Sequence, residues 1–279
     1  MSFNVRGLRC TQKRRSIFRF IKRKNIDVCL LQESHSTIKD ENEWRHEWGG
    51  DIFYSHGGHN SRGTMVLIKA GLDFKLEQLK NDQEGRLIMI KCTIQGTTFQ
   101  LINIYAPNTP NARLNFFKNL NTEIVRSRNA DTQYSQNTII GGDFNTIQDI
   151  KLDRKGGNLN ILPDYMKTIK LLDQMQDEHD LCDEWRLRNP ETKRYTWRQK
   201  NPSISSRLDK WLISKTQSDS INEIDIIPSI KSDHSPIIMV IQFYKKEKGR
   251  GLWKLNNLDE EPYVKGITQL INTLKMMEG

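Results

Sequence analysis

The chain has 279 residues, of which 36% are hydrophobic and 28% are charged, an ordinary balance for a soluble protein with a sizeable buried core. No apolar run approaches the roughly 18 residues that a membrane-spanning helix needs, and the N-terminus, MSFNVRGLRC, lacks the apolar region of a signal peptide. The composition therefore argues against a membrane-spanning or secreted protein. With 43 basic and 34 acidic residues, the formal net charge is +9, which favours an anionic partner.

Part of the basic excess is concentrated near the N-terminus. Residues 6–24 contain nine basic residues and no acidic one. Such a run is typical of a surface that binds nucleic acid, and equally typical of the solvated face of a helix. A helix is indicated here, because apolar residues recur at helical spacing over residues 11–24.

Segments of strand length alternate with helical patterns along the rest of the chain. Apolar and often β-branched runs predict strands at residues 2–5, 27–33, 63–69, 86–94, 98–106, 137–143, 194–197, 207–214, 221–227 and 235–243. The spacing of apolar residues predicts further helices over 112–128 and 164–179. Strands mixed with helices in this way predict an α/β fold.

A change in composition near Tyr244 predicts the end of the folded domain, which we expect to span residues 1–244. The stretch YKKEKGRG, residues 244–251, has the low complexity of a basic linker. Beyond it, apolar residues at helical spacing predict a short amphipathic helix near the C-terminus. Residues 245–279 are therefore expected to form a linker and a short helix.

Polar side chains stand at the ends of six predicted strands. They are Asn4, Glu33, Tyr105, Asp143 with Asn145, Asp209, and Asp233 with His234. Each has an ordinary structural explanation, because a glutamate at a strand end is usually solvated and a buried aspartate often caps a turn or orients a histidine. In an open α/β sheet, however, ligands bind outside the carboxyl ends of the strands. The set as a whole is therefore placed like a functional site.

The chemistry of these side chains favours a hard cation and a phosphate. Carboxylate and amide oxygens with a single histidine select Mg²⁺ rather than zinc. The sequence contains no GxSxG, GxxxxGK[ST] or HExxH motif, which argues against a serine hydrolase, a P-loop nucleotide site or a zinc protease. A basic chain with a hard-metal site and a carboxylate–histidine pair indicates phosphodiester hydrolysis.

Six motifs in fixed order resemble a known family. SFNVRGL, LLQESH, IYAPN, GGDFN, SRLDK and SDHSP follow one another within residues 2–244, as in the endonuclease/exonuclease/phosphatase superfamily. The segments GGDFNTIQDIKLDRKGG and GLWKLNN look most like the apurinic-endonuclease-like domain of LINE-type non-LTR retrotransposons. This resemblance implies a four-layer α/β sandwich of the DNase I and exonuclease III type, with two mixed β-sheets packed face to face and helices outside.

The resemblance also implies a metal site. Glu33 would bind the ion, Asn4 would lie beside it, and Asp233 would support the ion or the histidine. The implied cofactor is Mg²⁺, with Mn²⁺ as a substitute, and the number of ions, one or two, stays open.

The family's catalytic roles fall on five residues of this chain. Asp143 would orient and deprotonate the attacking water, and Asn145 would hold a phosphate oxygen. His234, oriented by Asp209, would stabilise charge on the phosphate, and Tyr105 would assist there. In-line attack would leave a 3′-hydroxyl and a 5′-phosphate.

Six further residues are expected to contact the substrate: Arg6, Arg154, Thr196, Arg198, Lys200 and Arg207. Residues 198–205 are polar, with Asn-Pro turn chemistry between two strands. They resemble the loop that LINE-type endonucleases insert at the DNA minor groove, so we expect them to read groove shape. Arg6 stands where apurinic endonucleases carry an acid, which argues against abasic-site specificity and against a second metal.

The predicted function is therefore that of a retrotransposon endonuclease, which nicks double-stranded DNA so that the 3′-hydroxyl primes reverse transcription. The expected partner in a full-length element is a downstream reverse transcriptase, and this chain would be the endonuclease portion, acting as a monomeric domain. The expected location is the nucleus, where the DNA lies, and also the cytoplasm.

Three other functions stay open. An exonuclease III-like apurinic endonuclease of DNA repair would use the same motifs. A phosphatase of the same superfamily acting on lipid or inositol phosphates is disfavoured by the basic charge. A catalytically inactive nucleic-acid-binding remnant is disfavoured by the intact motifs.

Overall fold

The computed structural model describes residues 1–58, 60–130, 137–157 and 163–242. The strands in chain order are β1 (Ser2–Asn4), β2 (Val28–Gln32), β3 (Asp51–Ser55), β4 (Thr64–Ile68), β5 (Phe74–Asn81), β6 (Leu87–Ile94), β7 (Thr97–Tyr105), β8 (Thr138–Asp143), β9 (Arg154–Lys155), β10 (Leu181–Asp183), β11 (Trp197–Gln199), β12 (Ile204–Ser206), β13 (Asp209–Ser214), β14 (Ile221–Ile226) and β15 (Ile237–Ile241). The helices are α1 (Thr11–Arg23), α2 (Glu41–Trp48), α3 (Pro110–Ala130), α4 (Ile150–Asp153), α5 (Pro163–Glu178) and α6 (Glu184–Arg188), with 3₁₀ turns at Ile38–Asp40 and Lys215–Ser220.

Two six-stranded mixed sheets form the centre of the molecule, which confirms the predicted fold class. The first has the strand order β14-β15-β1-β2-β4-β3, and the second has the order β10-β13-β8-β7-β6-β5. The pairs β1–β2 and β7–β8 are parallel, and the other neighbouring pairs are antiparallel. A third, small sheet has the order β11-β12-β9.

Apolar side chains fill three layers between four layers of secondary structure. The central layer joins the two sheets, with Leu30 and Val66 from the first against Ile90 and Ile213 from the second. A second cluster packs α1 and α2 on the outer face of the first sheet, and a third packs α3 and α5 on the outer face of the second sheet. The four-layer sandwich follows from this burial of both faces of each sheet.

Helix α1 carries most of the basic N-terminal run, and two of its charges are neutralised by acidic residues of α2. Arg14 is buried, and its guanidinium pairs with Glu43 at 2.7 Å and with Glu47 at 2.6 Å, both on α2. Arg15 pairs with the same Glu47 carboxylate at 2.9 Å. At these two positions α2 supplies counter-charges, so Arg14 and Arg15 add little to a basic surface over residues 6–24.

Several elements were not predicted from the sequence. The strand β5, with the sequence FKLEQLKN, lies at a sheet edge and is mostly exposed, so it has no alternation of buried and exposed residues. The strand predicted over 194–197 begins only at Trp197, since Thr196 is buried under the turn before β13.

The predicted C-terminal tail, 245–279, lies outside the described residues. None of the described helices is both long and apolar enough to cross a membrane.

The two glycines of β8 allow close packing around this strand, Gly141 against the opposite sheet and Gly142 against the neighbouring strand β7. A Cβ atom added to Gly141 would lie 2.4 Å from the Trp211 ring and 2.8 Å from Leu30 of the other sheet. Gly142 has a φ of +148°, and a Cβ there would lie 2.0 Å from the Ile104 carbonyl oxygen of β7. Larger residues would push apart the strands that end at Asp143, so the glycine pair fixes where this carboxylate stands.

We therefore expect Gly142→Ala to lower the free energy of unfolding by about 2–4 kcal/mol, from the strained φ and the clash together. Gly71→Ala is the matched control, because Gly71 has a φ of +76° with no atom within 4 Å of the added Cβ. Urea unfolding measures both. The control should lose only about 1–2 kcal/mol, and equal losses in the two variants would contradict the role of close strand approach.

Candidate active site

The strand ends bring the predicted site residues together. In the first sheet, Asn4 ends β1 beside Gln32 of the parallel strand β2, and Glu33 follows directly. In the second sheet, Asp143 ends β8 between Tyr105 on β7 and Asp209 on β13. Because the two sheets pack face to face, these ends meet at one edge of the sandwich.

A buried amide links the two sheets at this edge. Asn4 is fully buried, and its Nδ2 donates to Glu33 Oε1 at 3.0 Å and to Asp143 Oδ2 at 3.0 Å. Its Oδ1 accepts from the backbone N–H of Arg6 at 3.1 Å, which fixes the orientation of the amide. Each hydrogen of the Asn4 amide thus goes to a carboxylate from a different sheet, and the two carboxylates face one small volume.

Asp143, His234 and Asp209 form a buried array beside that amide. His234 Nδ1 lies 2.8 Å from Asp209 Oδ2, and His234 Nε2 lies 3.8 Å from Asp143 Oδ2. Burial alone would lower the pKa of His234, but the carboxylates of Asp209 and Asp143 outweigh it and raise the pKa to about 9. Burial, together with the charge of Asp209, raises the pKa of Asp143. The array therefore combines a cationic imidazole with a carboxyl group that holds a proton more readily than usual.

Asn145 and Tyr105 complete the wall around Asp143. The backbone N–H of Asn145 donates to Asp143 Oδ1 at 2.9 Å, and its side-chain amide donates to the Ala106 carbonyl at 2.7 Å. Burial, with the nearby charges of Glu33 and Asp143, raises the pKa of the Tyr105 phenol, so this group stays protonated. Both side chains can then donate a hydrogen to an anion bound at this point.

Asp233 lies on the other side of the site and is held by two donors. Its Oδ2 accepts from Arg6 at 3.2 Å and from the Trp197 indole N–H at 3.3 Å. Its Oδ1 is buried without a hydrogen-bond partner among the described residues. A buried carboxylate oxygen without a partner is costly, so a ligand at this position would stabilise it.

The donor atoms fit a hard divalent cation. Glu33, Asn4 and Asp233 carry oxygen atoms, the type that Mg²⁺ prefers, and Asp233 Oδ1 has no hydrogen-bond partner among the described residues. In the described part of the chain, the acidic and histidine side chains whose ligand atoms lie within 4.8 Å of one another are Asp143, Asp209 and His234. The hydrogen bond between His234 and Asp209 already occupies one donor atom of each in that cluster.

Two residues predicted to contact substrate are buried and act inside the fold, so that prediction was wrong for them. Thr196 is fully buried, and its hydroxyl accepts from the backbone N–H groups of Leu208 at 2.9 Å and Asp209 at 3.0 Å. Arg207 is 1% exposed, and its guanidinium forms a bidentate pair with Asp153 at 2.7 and 3.0 Å. Both residues hold the start of β13, which carries Asp209.

The Arg207 pair belongs to a larger buried cluster of charges. Arg207 Nη1 also donates to Asp183 at 2.7 Å, and Arg186 donates to Asp153 at 2.5 Å. Burial alone would raise the pKa of Asp153, but the hydrogen bonds and charge of Arg207 lower it to about 2. Since Arg154 follows Asp153 directly, the cluster also anchors the residue that the sequence placed beside the substrate.

The other four residues predicted to contact substrate line two neighbouring recesses, a cavity and a groove. Arg6 and Arg154 line a cavity of about 400 Å³ that contains Glu33, Asp143 and His234. Arg198 and Lys200 line an adjoining groove of about 1270 Å³, which also contains Lys13 and Lys231. The two recesses share Arg6, Trp197 and Asp233 in their walls.

Sequence reasoning missed several residues of the cavity. Arg113, Tyr165 and Trp197 line it, and the Arg113 guanidinium lies 4.9 Å from the centre of the Tyr165 ring. Arg113 also donates to the carbonyl of Asn108, in the turn after Tyr105, at 3.1 Å. The proximity of Arg113 to the IYAPN motif was the available signal, whereas nothing in the sequence places α5, which carries Tyr165, beside it.

The chain belongs to the Endonuclease/Exonuclease/phosphatase family, whose model matches residues 1–234. It is thus a member of a family of metal-dependent hydrolases that includes nucleases and phosphatases. It is 28% identical over 272 residues to the Xenopus laevis "Transposon TX1 uncharacterized 149 kDa protein", an alignment that covers 95% of this chain and 20% of that protein. It therefore spans a fifth of the length of this relative.

Two further comparisons match the chain to nucleases. The chain is 22% identical over 261 residues to a Bacillus subtilis exodeoxyribonuclease, with 86% of this chain and 98% of that protein covered. The crystal structure of the AP endonuclease LMAP from Leishmania major has a TM-score of 0.72 at 16% identity, with 87% of each chain covered. At this identity the structural match concerns the fold alone.

We expect Asp153→Asn to lower the free energy of unfolding at neutral pH by about 3–5 kcal/mol, because the buried Arg207 loses its bidentate partner. The low pKa of Asp153 means that its contribution is complete above its usual pKa of 3.8 and is lost as the pH falls towards 2. The deficit of the variant, measured by urea unfolding, should shrink over that range.

The matched control is Asp164→Asn, which removes an exposed ion pair with Lys167 at 2.8 Å and should cost about 1 kcal/mol or less. A deficit for Asp153→Asn that stays constant down to about pH 2 would contradict the assigned ionic pair.

Proposed function

We propose that this chain is a Mg²⁺-dependent DNA endonuclease that nicks its target by phosphodiester hydrolysis and leaves a 3′-hydroxyl and a 5′-phosphate. The observation that carries the proposal is the Asn4 amide, which holds Glu33 and Asp143 at one point opposite the His234–Asp209 pair. A metal ligand, a base and a cation thereby surround a space suited to one phosphate group.

In this proposal the side chains divide the reaction among them. Asp143 takes a proton from the attacking water, which forms the new bond to phosphorus. The bond from phosphorus to the 3′ oxygen breaks, and this oxygen is protonated from solvent. Cationic His234, Tyr105 and the free amide hydrogen of Asn145 stabilise the charge on the phosphate oxygens. A divalent ion held by Glu33, Asn4 and Asp233 supplies further positive charge at the phosphate.

The surroundings of the site support a polyanionic substrate. Five cations, Arg6, Lys13, Arg198, Lys200 and Lys231, line the groove that adjoins the active-site cavity. The single carboxylate there, Asp233, is paired with Arg6. Since the groove and the cavity share Arg6, Trp197 and Asp233 in their walls, a strand whose scissile phosphate lies against Asp143 would place neighbouring phosphates along these cations.

The likeness to a transposon protein supports a role in a mobile element. In that role the 3′-hydroxyl of the nick would prime reverse transcription, and the natural partner would be a reverse transcriptase encoded in the same element. The hairpin β11–β12, at 197–206, would contact the target beside the site and select where it is nicked. The domain would act as a monomer on DNA in the nucleus.

We expect the protein to nick supercoiled plasmid with Mg²⁺ or Mn²⁺ and to stop with EDTA. Asp143→Ala should lower the rate by about 10²–10⁴-fold, the usual worth of a general base, and Glu33→Ala and His234→Ala should also abolish nicking without unfolding the domain. Extension of the nick by a DNA polymerase tests for the 3′-hydroxyl.

The control is Asp177→Ala, an exposed aspartate on α5. An Asp143→Ala protein that nicks DNA within a few-fold of the wild-type rate would contradict the assignment of Asp143 as the general base. A strong preference for abasic over intact DNA would favour the repair-nuclease alternative instead.

DNA affinity should fall steeply with salt, with a log–log slope of roughly −0.9 per phosphate neutralised. The double variant Lys13→Gln/Lys231→Gln should make this slope shallower by about 2, because it removes two cations of the groove. Fluorescence anisotropy over a salt series measures it. Lys118→Gln/Lys170→Gln, on exposed positions of α3 and α5, is the control of equal charge. Equal slopes in the two double variants would contradict binding of DNA along the groove that Lys13 and Lys231 line.

A further inference from the structure

The loop that carries Glu33 has an unusual backbone. Glu33 has a φ of 51° and His35 has a φ of 56°, so two of its non-glycine residues lie in the left-handed region. Such a conformation is uncommon for residues with a Cβ atom and persists only where the surrounding structure fixes it. Because the orientation of the Glu33 carboxylate depends on this backbone, whatever fixes residues 33–36 also fixes the proposed metal ligand.

Backbone hydrogen bonds clamp the loop from two sides. On one side, the N–H of Gly7 donates to the Glu33 carbonyl at 2.6 Å. On the other side, the N–H of Ser34 donates to the Gly63 carbonyl at 2.8 Å, and the N–H of His35 donates to the Arg62 carbonyl at 2.9 Å. These bonds locate the loop, but they involve no side chain of residues 34–36.

A chain of side-chain hydrogen bonds leads from the loop to the protein surface. Ser34 Oγ lies 3.0 Å from Ser36 Oγ, Ser36 Oγ lies 3.1 Å from His56 Nδ1, and His56 Nε2 lies 2.8 Å from Glu41 Oε1. Both serines are fully buried, whereas His56 and Glu41 are partly exposed. We call these four residues the Ser–His–Glu relay.

The donors and acceptors of the Ser–His–Glu relay are consistent along its length. A carboxylate only accepts, so His56 Nε2 must donate to Glu41. With a neutral imidazole, Nδ1 accepts from the Ser36 hydroxyl, whose oxygen accepts in turn from the Ser34 hydroxyl. Stacking against Tyr54, at 5.1 Å between ring centres, holds the His56 ring in place. The hydroxyl hydrogen of the buried Ser36 therefore has His56 Nδ1 as its acceptor.

The relay does not form a second catalytic centre. Ser36 is fully buried, so no substrate can reach its oxygen. Its place in the fold indicates another role, since it connects the Glu33 loop with the residue after β3 and with the first residue of α2.

We propose that His56, supported by Glu41, is a positioning residue for the metal ligand Glu33. Without the imidazole, the buried Ser36 hydroxyl keeps its contact with Ser34 but loses the acceptor of its own hydrogen, which costs free energy. The loop can then relax from its left-handed conformation, and the Glu33 carboxylate leaves its position 3.0 Å from the Asn4 amide. This inference rests on the proposed function, because it takes Glu33 as a ligand of the ion.

The test is direct binding of Mn²⁺, followed by the electron paramagnetic resonance of free Mn²⁺ in the full chain without DNA. His56→Ala should weaken Mn²⁺ binding about tenfold, at the lower end of the loss seen when an outer partner of a metal ligand is removed. His56→Gln should restore most of the affinity, because its amide can accept from Ser36 and donate to Glu41. His46→Ala, at an exposed position of α2, is the matched control and should bind as wild type does.

Glu33→Gln separates this inference from the proposed function. If Glu33→Gln loses Mn²⁺ binding while His56→Ala, shown to be folded by circular dichroism, keeps wild-type affinity, the role of His56 is overturned and the metal ligand stands. If Glu33→Gln binds Mn²⁺ as wild type does, the metal assignment in the proposed function fails and the role of His56 fails with it. Weak binding by His56→Ala that His56→Gln does not restore would indicate general damage and also overturn the proposal.

Discussion

The amide of Asn4 lies between two carboxylates that belong to different sheets, 3.0 Å from Glu33 and 3.0 Å from Asp143. The amide is fully buried, so water does not compete for its two hydrogens and both hydrogen bonds are strengthened. The site therefore depends on how closely the two sheets approach. Gly141 permits that approach, since a side chain there would clash with Leu30 of the opposite sheet, and Gly142 allows β8 to lie close to β7 within its own sheet.

Burial of so many charges at one edge needs compensation in the surroundings. Asp143 and Asp209 are both 1% exposed, and the imidazole of His234 lies between them as the nearby cation. Away from the cavity, Asp153 and Asp183 are met by Arg207. Compensation at the cavity is only partial, since Asp209 and Asp233 each keep a buried oxygen without a hydrogen-bond partner among the described residues. In the second group, each carboxylate oxygen of Asp153 and Asp183 accepts a hydrogen bond, as expected for a structural cluster.

The strand-end pattern in the sequence predicted which residues the structure gathers around Asp143, because strands that end in Asn4, Glu33, Tyr105 and Asp143 meet at one edge of the sandwich. The sandwich itself was expected from the family resemblance. The expected substrate contact was wrong for Arg207, whose charge is visible in the sequence but whose counter-charge lies 54 residues away at Asp153. The sequence likewise shows that Arg14 is basic, but not that Glu47, 33 residues away, pairs with it. Local sequence indicates that a residue is basic, whereas only the tertiary structure decides whether it meets a substrate or a buried carboxylate.

The proposed recognition hairpin and the catalytic residues share one piece of backbone. Trp197 forms a β-bridge with His234, and the N–H of Arg198 donates to the Asp233 carbonyl at 3.2 Å. At the other end of the hairpin, β12 continues through Arg207 into Asp209, the partner of His234. A displacement of the hairpin by bound DNA would therefore be transmitted to both members of the His234–Asp209 pair. In the proposed endonuclease, target recognition and phosphate activation would thus be coupled by direct chain connection.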